Sequence, residues 1–302
     1  QSRRVLLVWG GPGFWGEVNL HSLHARVQTL SRYRTPRGVE LCEQSPLIET
    51  PFIHAQNGFE CIHHKLLFRA LETKLYDILR GEGAERFMRN FGPAFERYVG
   101  AVLAELDLPL IRERELQDML PGQGKCVDFA LVDDDILVLV DSKGIEGHYD
   151  ELYHSLPEVL TAKLRTSALH ATDQAVETFH RLPDGLRRPM TVFLCVTYKQ
   201  LNIGNGEALR ALTVGTNDWN SARWRADGLP PAQMFTISIQ ELEILVGVIN
   251  AGRRPSEIFA KVVADNASPQ TSKLLIEQHL AEYGQVGVLR FARCAWNSLC
   301  NT

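Results

Sequence analysis

Apolar positions in this chain fall into short strand-like runs and longer stretches with helical spacing, and the sharpest runs lie between Gly124 and Gly144. Residues 127–132 and 136–140 are short, rich in β-branched side chains and separated by Asp133-Asp134-Asp135, which predicts a hairpin of two buried strands. A nearly unbroken apolar run at 190–198 suits a strand at the centre of a sheet. Residues 235–239 predict one more strand, passing into an apolar helix at 240–250 with Ser238 and Glu241 or Glu243 placed to cap it. Phe95, Val99, Val102, Leu103 and Leu106 share one face of a helix over 84–106. The same period predicts helices at 64–80, 156–182, 255–265 and 268–283, while 110–116 reads as an extended arm entering the hairpin.

The alternation of strand and helix signals predicts an α/β protein with a mixed central sheet flanked by helices. Three regions follow: an N-terminal α/β extension at 1–83, a core at 84–250 and a helical region at 251–302. Within the core, 202–231 is rich in Gly, Asn and Pro and reads as an insertion or flap. Trp224, between Arg223 and Arg225, either pins that segment down, the favoured reading, or stacks on a base. No internal repeat or low-complexity segment occurs.

Composition narrows the classes without choosing one. With 302 residues, 45% of them hydrophobic and 23% charged, the chain can build a substantial core. Its formal net charge of -4 rules out a globally basic nucleic-acid binder, so any such contact needs a local basic face. Arg112, Arg114, Lys125, Lys163, Arg165, Arg187, Arg188, Arg223 and Arg225 are the residues available for one. The six cysteines show neither Cys-x-x-Cys nor zinc spacing, and Cys126 and Cys195 sit in apolar runs as small buried hydrophobes. No apolar stretch is long enough for a membrane span, and 5–9 is too short for a signal peptide. These features lead to the expectation of a cytoplasmic protein that does not use a membrane. The chain begins at Gln1 rather than Met, which leaves room for residues upstream.

The chemistry gathers on the predicted hairpin. Asp128 lies in an apolar run, where an unpaired carboxylate is costly, and Asp141-Ser142-Lys143 closes the second run. Asp141 and Lys143 are two apart and therefore share a face. Two carboxylates beside an ammonium are what a metal-dependent phosphodiesterase requires. Asp128, Asp141, Ser142 and Lys143 resemble the motif of the PD-(D/E)xK nuclease superfamily, although Val127 stands where that motif begins with Pro. The resemblance covers roughly residues 85–200. It implies a restriction-endonuclease-like core, with Glu96 as a third carboxylate from the preceding helix and Gln174, then Lys163, as phosphate- or water-positioning groups on the following one. It also implies a Mg²⁺- or Mn²⁺-dependent deoxyribonuclease, an endonuclease with DNA as substrate. The metal would be held by Glu96, Asp128, Asp141 and the carbonyl of Ser142. The company such domains keep suggests prokaryotic defence or DNA repair, with a partner protein or oligomer left open.

Two other readings remain. Gly11 to Gly16 has the spacing of a dinucleotide-binding glycine loop, between a strand at 3–9 and a helix at 17–33, with a strand at 39–42 and with Glu40 or Glu43 at the distance of a ribose-binding acid. Pro12 removes a backbone donor there, and Phe14 and Trp15 crowd the loop. The third reading is a silent nucleic-acid-binding domain, against which stands the intact set Glu96, Asp128, Asp141 and Lys143. His148 follows Lys143 closely enough to touch a substrate, and His63 and His64 diverge too much to make a metal pair.

Overall fold

A computed structural model of the chain describes residues 4–8, 15–19, 51–55, 58–61, 63, 67, 70, 76, 84–144, 164–165, 167–213, 224, 228–284 and 289. The chain divides into two compact units, Gln1–Phe87 and Met88–Thr302.

In the first unit β1 (Arg4–Val8) pairs antiparallel with β2 (Trp15–Asn19), Val8 opposite Trp15. A second hairpin joins β3 (Phe52–Ala55) to β4 (Gly58–Cys61). The strand at 15–19 corrects the helix expected from residue 17, so the Gly11–Gly16 segment connects two paired strands. It opens no helix, and without a helix N-terminus a pyrophosphate lacks the backbone donors and dipole that the dinucleotide reading needed. Period alone misplaced Glu17 and Val18, which a two-residue strand alternation fits as well. Leu67, Ala70 and Tyr76 are helical, in keeping with the amphipathic run at 64–80. The rest of that run, and the expected strand at 39–42, lie outside the described residues.

The second unit is a six-stranded mixed sheet between two helical layers. Helix α1 (Ala84–Leu103) leads into β5 (Leu110–Arg112) and α2 (Glu113–Met119). The hairpin β6 (Phe129–Val132) and β7 (Ile136–Lys143) follows, then α3 (Ala168–Arg181) and β8 (Met190–Thr197). Next come β9 (Gly204–Asn205), α4 (Gly206–Thr213), β10 (Met234–Ser238), α5 (Ile239–Asn250), α6 (Pro255–Asn266) and α7 (Ile276–Leu280). Sheet order is β5-β6-β7-β8-β10-β9; β7, β8 and β10 run parallel, and the outer pairings are antiparallel. The expected mixed α/β architecture is therefore present.

Alternation along the strands separates the two cores. Val138, Val140, Leu194 and Ile237 pack with Phe95 and Val99 of α1, Leu242 of α5 and Phe259 of α6. Leu137, Leu139, Phe193 and Cys195 face the other way, onto Leu116 of α2 and Leu169, Ala171 and Ala175 of α3. Both faces being covered explains why β7 and β8 read as continuous apolar runs. Each fully buried Leu, Val or Phe contributes about 1.5–3 kcal/mol. Gly100 brings α1 close to the sheet, since a Cβ there would lie 3.0 Å from the Phe129 ring.

Three expectations need correction. The arm at 110–116 is a three-residue strand followed by helix α2, whose Glu113 and Glu115 occupy a first turn that favours acids. The stretch at 202–231 is not a flap where it is described: β9 extends the sheet beside β10 and α4 follows it. Trp224 is buried in the α3-side core, consistent with pinning and not with base stacking. The expected helix at 268–283 shortens to α7 and one 3-10 turn, Ala281–Tyr283, because Ser268, Thr271 and Ser272 form turns at the end of α6. The acidic hairpin turn is held by Arg188, which donates to Asp133 O at 2.7 Å, and by Arg254, ion-paired to Asp135 at 2.7 Å.

Candidate active site at the end of the hairpin

Asp128 immediately precedes β6, and the pairing of Phe129 with Val140 carries it to the level of Asp141 and Ser142. Its Oδ2 accepts from the Ser142 amide at 2.7 Å and the Ser142 hydroxyl at 2.5 Å, so a side chain prolongs the ladder where the strand stops. The segment before it is tied to α3: Gln174 Nε2 donates to Cys126 O at 3.1 Å, and the Val127 amide donates to Thr178 Oγ1 at 3.2 Å. Gln174 and Thr178 are four apart, one helical turn, and hold consecutive residues of one strand entry. Asp128 is thus half-buried and well partnered, contrary to the expectation that it would be the carboxylate hardest to accommodate.

That residue is Asp141. It lies on β7 opposite Cys195 of β8 and is fully buried, 0% exposed. Its Oδ2 sits 2.5 Å from Lys143 Nζ, and its Oδ1 has no hydrogen-bond partner among the described residues. Burial, with the Asp128 charge behind it, pushes the carboxyl up to about 7 despite the opposing pull of Lys143. Lys143 shares the face of Asp141, as the sequence spacing required, and donates also to Gln174 Oε1 at 3.0 Å. Cys126 and Cys195 are free and buried; burial pushes the Cys126 thiol up to about 11 and that of Cys195 higher still. Neither serves as a nucleophile in that state.

Glu96 enters from the other layer, on α1, next to Phe95 in the opposite core. Burial, then the Asp128 and Glu113 charges, raise its carboxyl above the ordinary value, while Arg97 and Lys143 pull it down. Glu96 therefore shares the field of the hairpin end. Among the described residues, however, no three His, Cys, Asp or Glu side chains converge closely enough to hold a metal ion. The remaining test of fit is the donor chemistry. A fully buried carboxylate oxygen without a donor, beside a second carboxylate and the Ser142 backbone, offers oxygen ligands and a shortage of positive charge, which suits a hard cation. Asp128, Asp141 and Ser142 meet that description, with Glu96 at its margin.

Of the other expected groups, Gln174 is where it was anticipated, whereas Lys163 and His148 lie outside the described residues. Thr178 was not foreseen as part of the site, while Lys125, one of the basic residues available for a nucleic-acid contact, meets His170 at 3.2 Å. The four-residue repeat of His170, Gln174 and Thr178 on α3 was the available signal. Arg187 and Arg188 are structural: one lies over the Phe179 ring, the other is spent on backbone carbonyls. No described helix is long and apolar enough to cross a membrane. Compared with known proteins, the chain matches no family model and no curated relative.

Proposed function

We propose that the chain is a metal-dependent nuclease of the PD-(D/E)xK kind, with a restriction-endonuclease-like core, cleaving phosphodiester bonds in DNA. One observation carries the reading: among the described residues, buried Asp141 has a carboxylate oxygen without a hydrogen-bond donor, and Lys143 is its cationic contact. A fold gains nothing in stability from such a group, because a buried charge costs several kcal/mol unless fully compensated. Perturbed carboxyls of this type are concentrated at reactive sites. The order of elements supports the reading further, with the Glu96 helix before the hairpin and the Gln174 helix after it, hydrogen-bonded to the motif lysine.

In this reading Asp141 and Asp128 would hold Mg²⁺ or Mn²⁺, with the Ser142 carbonyl as a further oxygen donor and Glu96 at the margin of the site. Such an ion would supply Lewis acidity for activating water and a counter-charge for the leaving oxygen. Ser142 fixes the Asp128 carboxylate through its amide and hydroxyl. Lys143 offsets negative charge gathering on the phosphate, and Gln174 fixes the ammonium for that task. A catalytically silent DNA-binding domain is the alternative, distinguished by binding without cleavage.

The test is incubation with linear, circular and single-stranded DNA, with and without Mg²⁺ or Mn²⁺. Metal-dependent cleavage is expected, lost in Asp141→Ala and Lys143→Ala proteins that retain the wild-type circular dichroism spectrum. Cleavage persisting in both variants, or absent from the wild-type chain on all three substrates, sinks the proposal.

A further inference from the structure

A donor-rich rim leads away from the buried carboxylate along α3. Its inner end is Lys143, held by Asp141 and Gln174. One helical turn before Gln174, about 5.4 Å along the axis, His170 Nε2 faces Lys125 Nζ at 3.2 Å. An ammonium group can only donate, so Nε2 accepts and the ring proton resides on Nδ1. Burial and the charges of Lys143 and Lys125 hold this imidazole below its ordinary pKa, in agreement with a neutral ring. Among the described residues a neutral ring is thus the contact of Lys125, and its charge stays uncancelled there. Lys261 and Lys273, by contrast, both sit on the carboxylate of Glu282.

The backbone carrying Lys125 is clamped. Arg181 donates to the carbonyls of Pro121, Gly122 and Lys125 at 3.0, 3.1 and 3.2 Å. Gly124 permits this closeness, since a Cβ there would fall 2.0 Å from Glu177 Oε1 and 2.8 Å from an Arg181 guanidinium nitrogen. A charge presented on a fixed loop, with its side chain steered by an imidazole, loses less entropy on meeting an anion than a free lysine does.

We propose that Lys125 and His170 form a second phosphate subsite, which takes the backbone phosphate adjacent to the one facing Lys143. The assignment rests on the nuclease reading, which is what lays a polynucleotide along this rim. Lys125 supplies the charge; His170 is a positioning residue that holds the ammonium over the groove.

Salt dependence separates these roles. A labelled duplex oligonucleotide is titrated with the full chain at several KCl concentrations, without divalent metal so that no cleavage occurs. Each lost phosphate contact lowers the slope of log K against log salt by about 0.9, which between 1 M and 0.1 M salt amounts to roughly eightfold weaker binding. Lys125→Gln should show both changes. His170→Ala should weaken binding with the slope unaltered, because the charge remains. Lys261→Gln, a lysine already paired with carboxylates, should bind as wild type. Lys125 is exposed, so unchanged melting temperatures are expected for its variant.

A Lys125→Gln protein with wild-type slope and affinity overturns the subsite, as does an equal loss in Lys261→Gln; wild-type affinity in His170→Ala overturns the pairing. If the wild-type chain still cleaves DNA in Mg²⁺, the nuclease reading survives any of these results. Duplex binding with the expected slope change but no cleavage removes the nuclease reading and keeps the subsite. No binding by the wild-type chain overturns the subsite.

Discussion

Two buried acids in the same unit show opposite treatment. Glu241, 1% exposed at the start of α5, accepts from the Ser238 amide at 2.8 Å, the Ser238 hydroxyl at 3.2 Å and the Glu277 amide at 3.3 Å. Ser238 in return accepts from the Glu241 amide, completing a capping box that links β10, α5 and α7. Burial raises the Glu241 carboxyl above its ordinary value, against the lowering pull of the Ser238 and Glu277 N–H groups. Asp141, equally buried, has one lysine and a bare oxygen. Both sites remove a carboxylate from water, yet only at Glu241 do both oxygens meet donors. Under the proposed nuclease reading, the difference separates an acid that holds the fold together from one kept for chemistry.

The largest expected effect breaks the two apart by activity. Asp141→Ala should lower DNA cleavage by at least about 10²–10³-fold, the range seen when one charge-stabilising group leaves a reaction centre. Glu241→Ala should leave cleavage per folded molecule unchanged. Stability runs the other way. Glu241→Ala strands donors from Ser238 and Glu277 and should cost about 2–3 kcal/mol in chemical denaturation. Asp141→Asn removes a poorly compensated buried charge and should leave stability unchanged or raised at pH 8. A marked destabilisation by Asp141→Asn, equal to that of Glu241→Ala, would mean that Asp141 is structural after all.

The pH profile sharpens the contrast. With the folded Asp141 carboxyl at about 7 against an ordinary 3.8, the native state retains a proton that the unfolded chain releases. Stability should therefore fall as pH climbs from the ordinary value toward 7 and level off above it. The ceiling is of the order of a few kcal/mol. Thermal melts across that range should show the decline in wild type and its disappearance in Asp141→Asn. Mg²⁺ should flatten it too, because a cation favours the ionised form. A wild-type profile identical to that of Asp141→Asn would count against the raised carboxyl.

Pattern made much of this legible. The strands at 127–132, 136–140, 190–198 and 235–239 were visible because apolar runs bounded by turn residues have few other uses, and the Ser238–Glu241 box because caps are local. Asp141 and Lys143 on one face followed from the two-residue period alone. What the sequence could not show was long-range. Which of Asp128 and Asp141 is the more buried depends on where β6 begins, and on Ser142 satisfying Asp128 across the ladder. Glu96 could be assigned to a helix but not to a layer, so its entry from the opposite core was invisible. The strand at Trp15–Asn19 shows the converse error, a helical period carried back over residues that pair as a strand.

The smallest expected effect compares the two serines. Ser142→Ala and Ser238→Ala each delete one hydroxyl bonded to a carboxylate, and each should cost about 1 kcal/mol. Their consequences for a metal should nevertheless differ. Removing the Ser142 hydroxyl leaves Asp128 Oδ2 with the Ser142 backbone amide and frees the carboxylate to rotate. The Mg²⁺ concentration at half-maximal cleavage should then rise in Ser142→Ala by about tenfold, the lower end of what losing a group that orients a metal ligand costs, while Ser238→Ala keeps the wild-type value. Equal metal requirements in the two variants would show that Asp128 needs no orientation from Ser142 and would detach it from the proposed metal site.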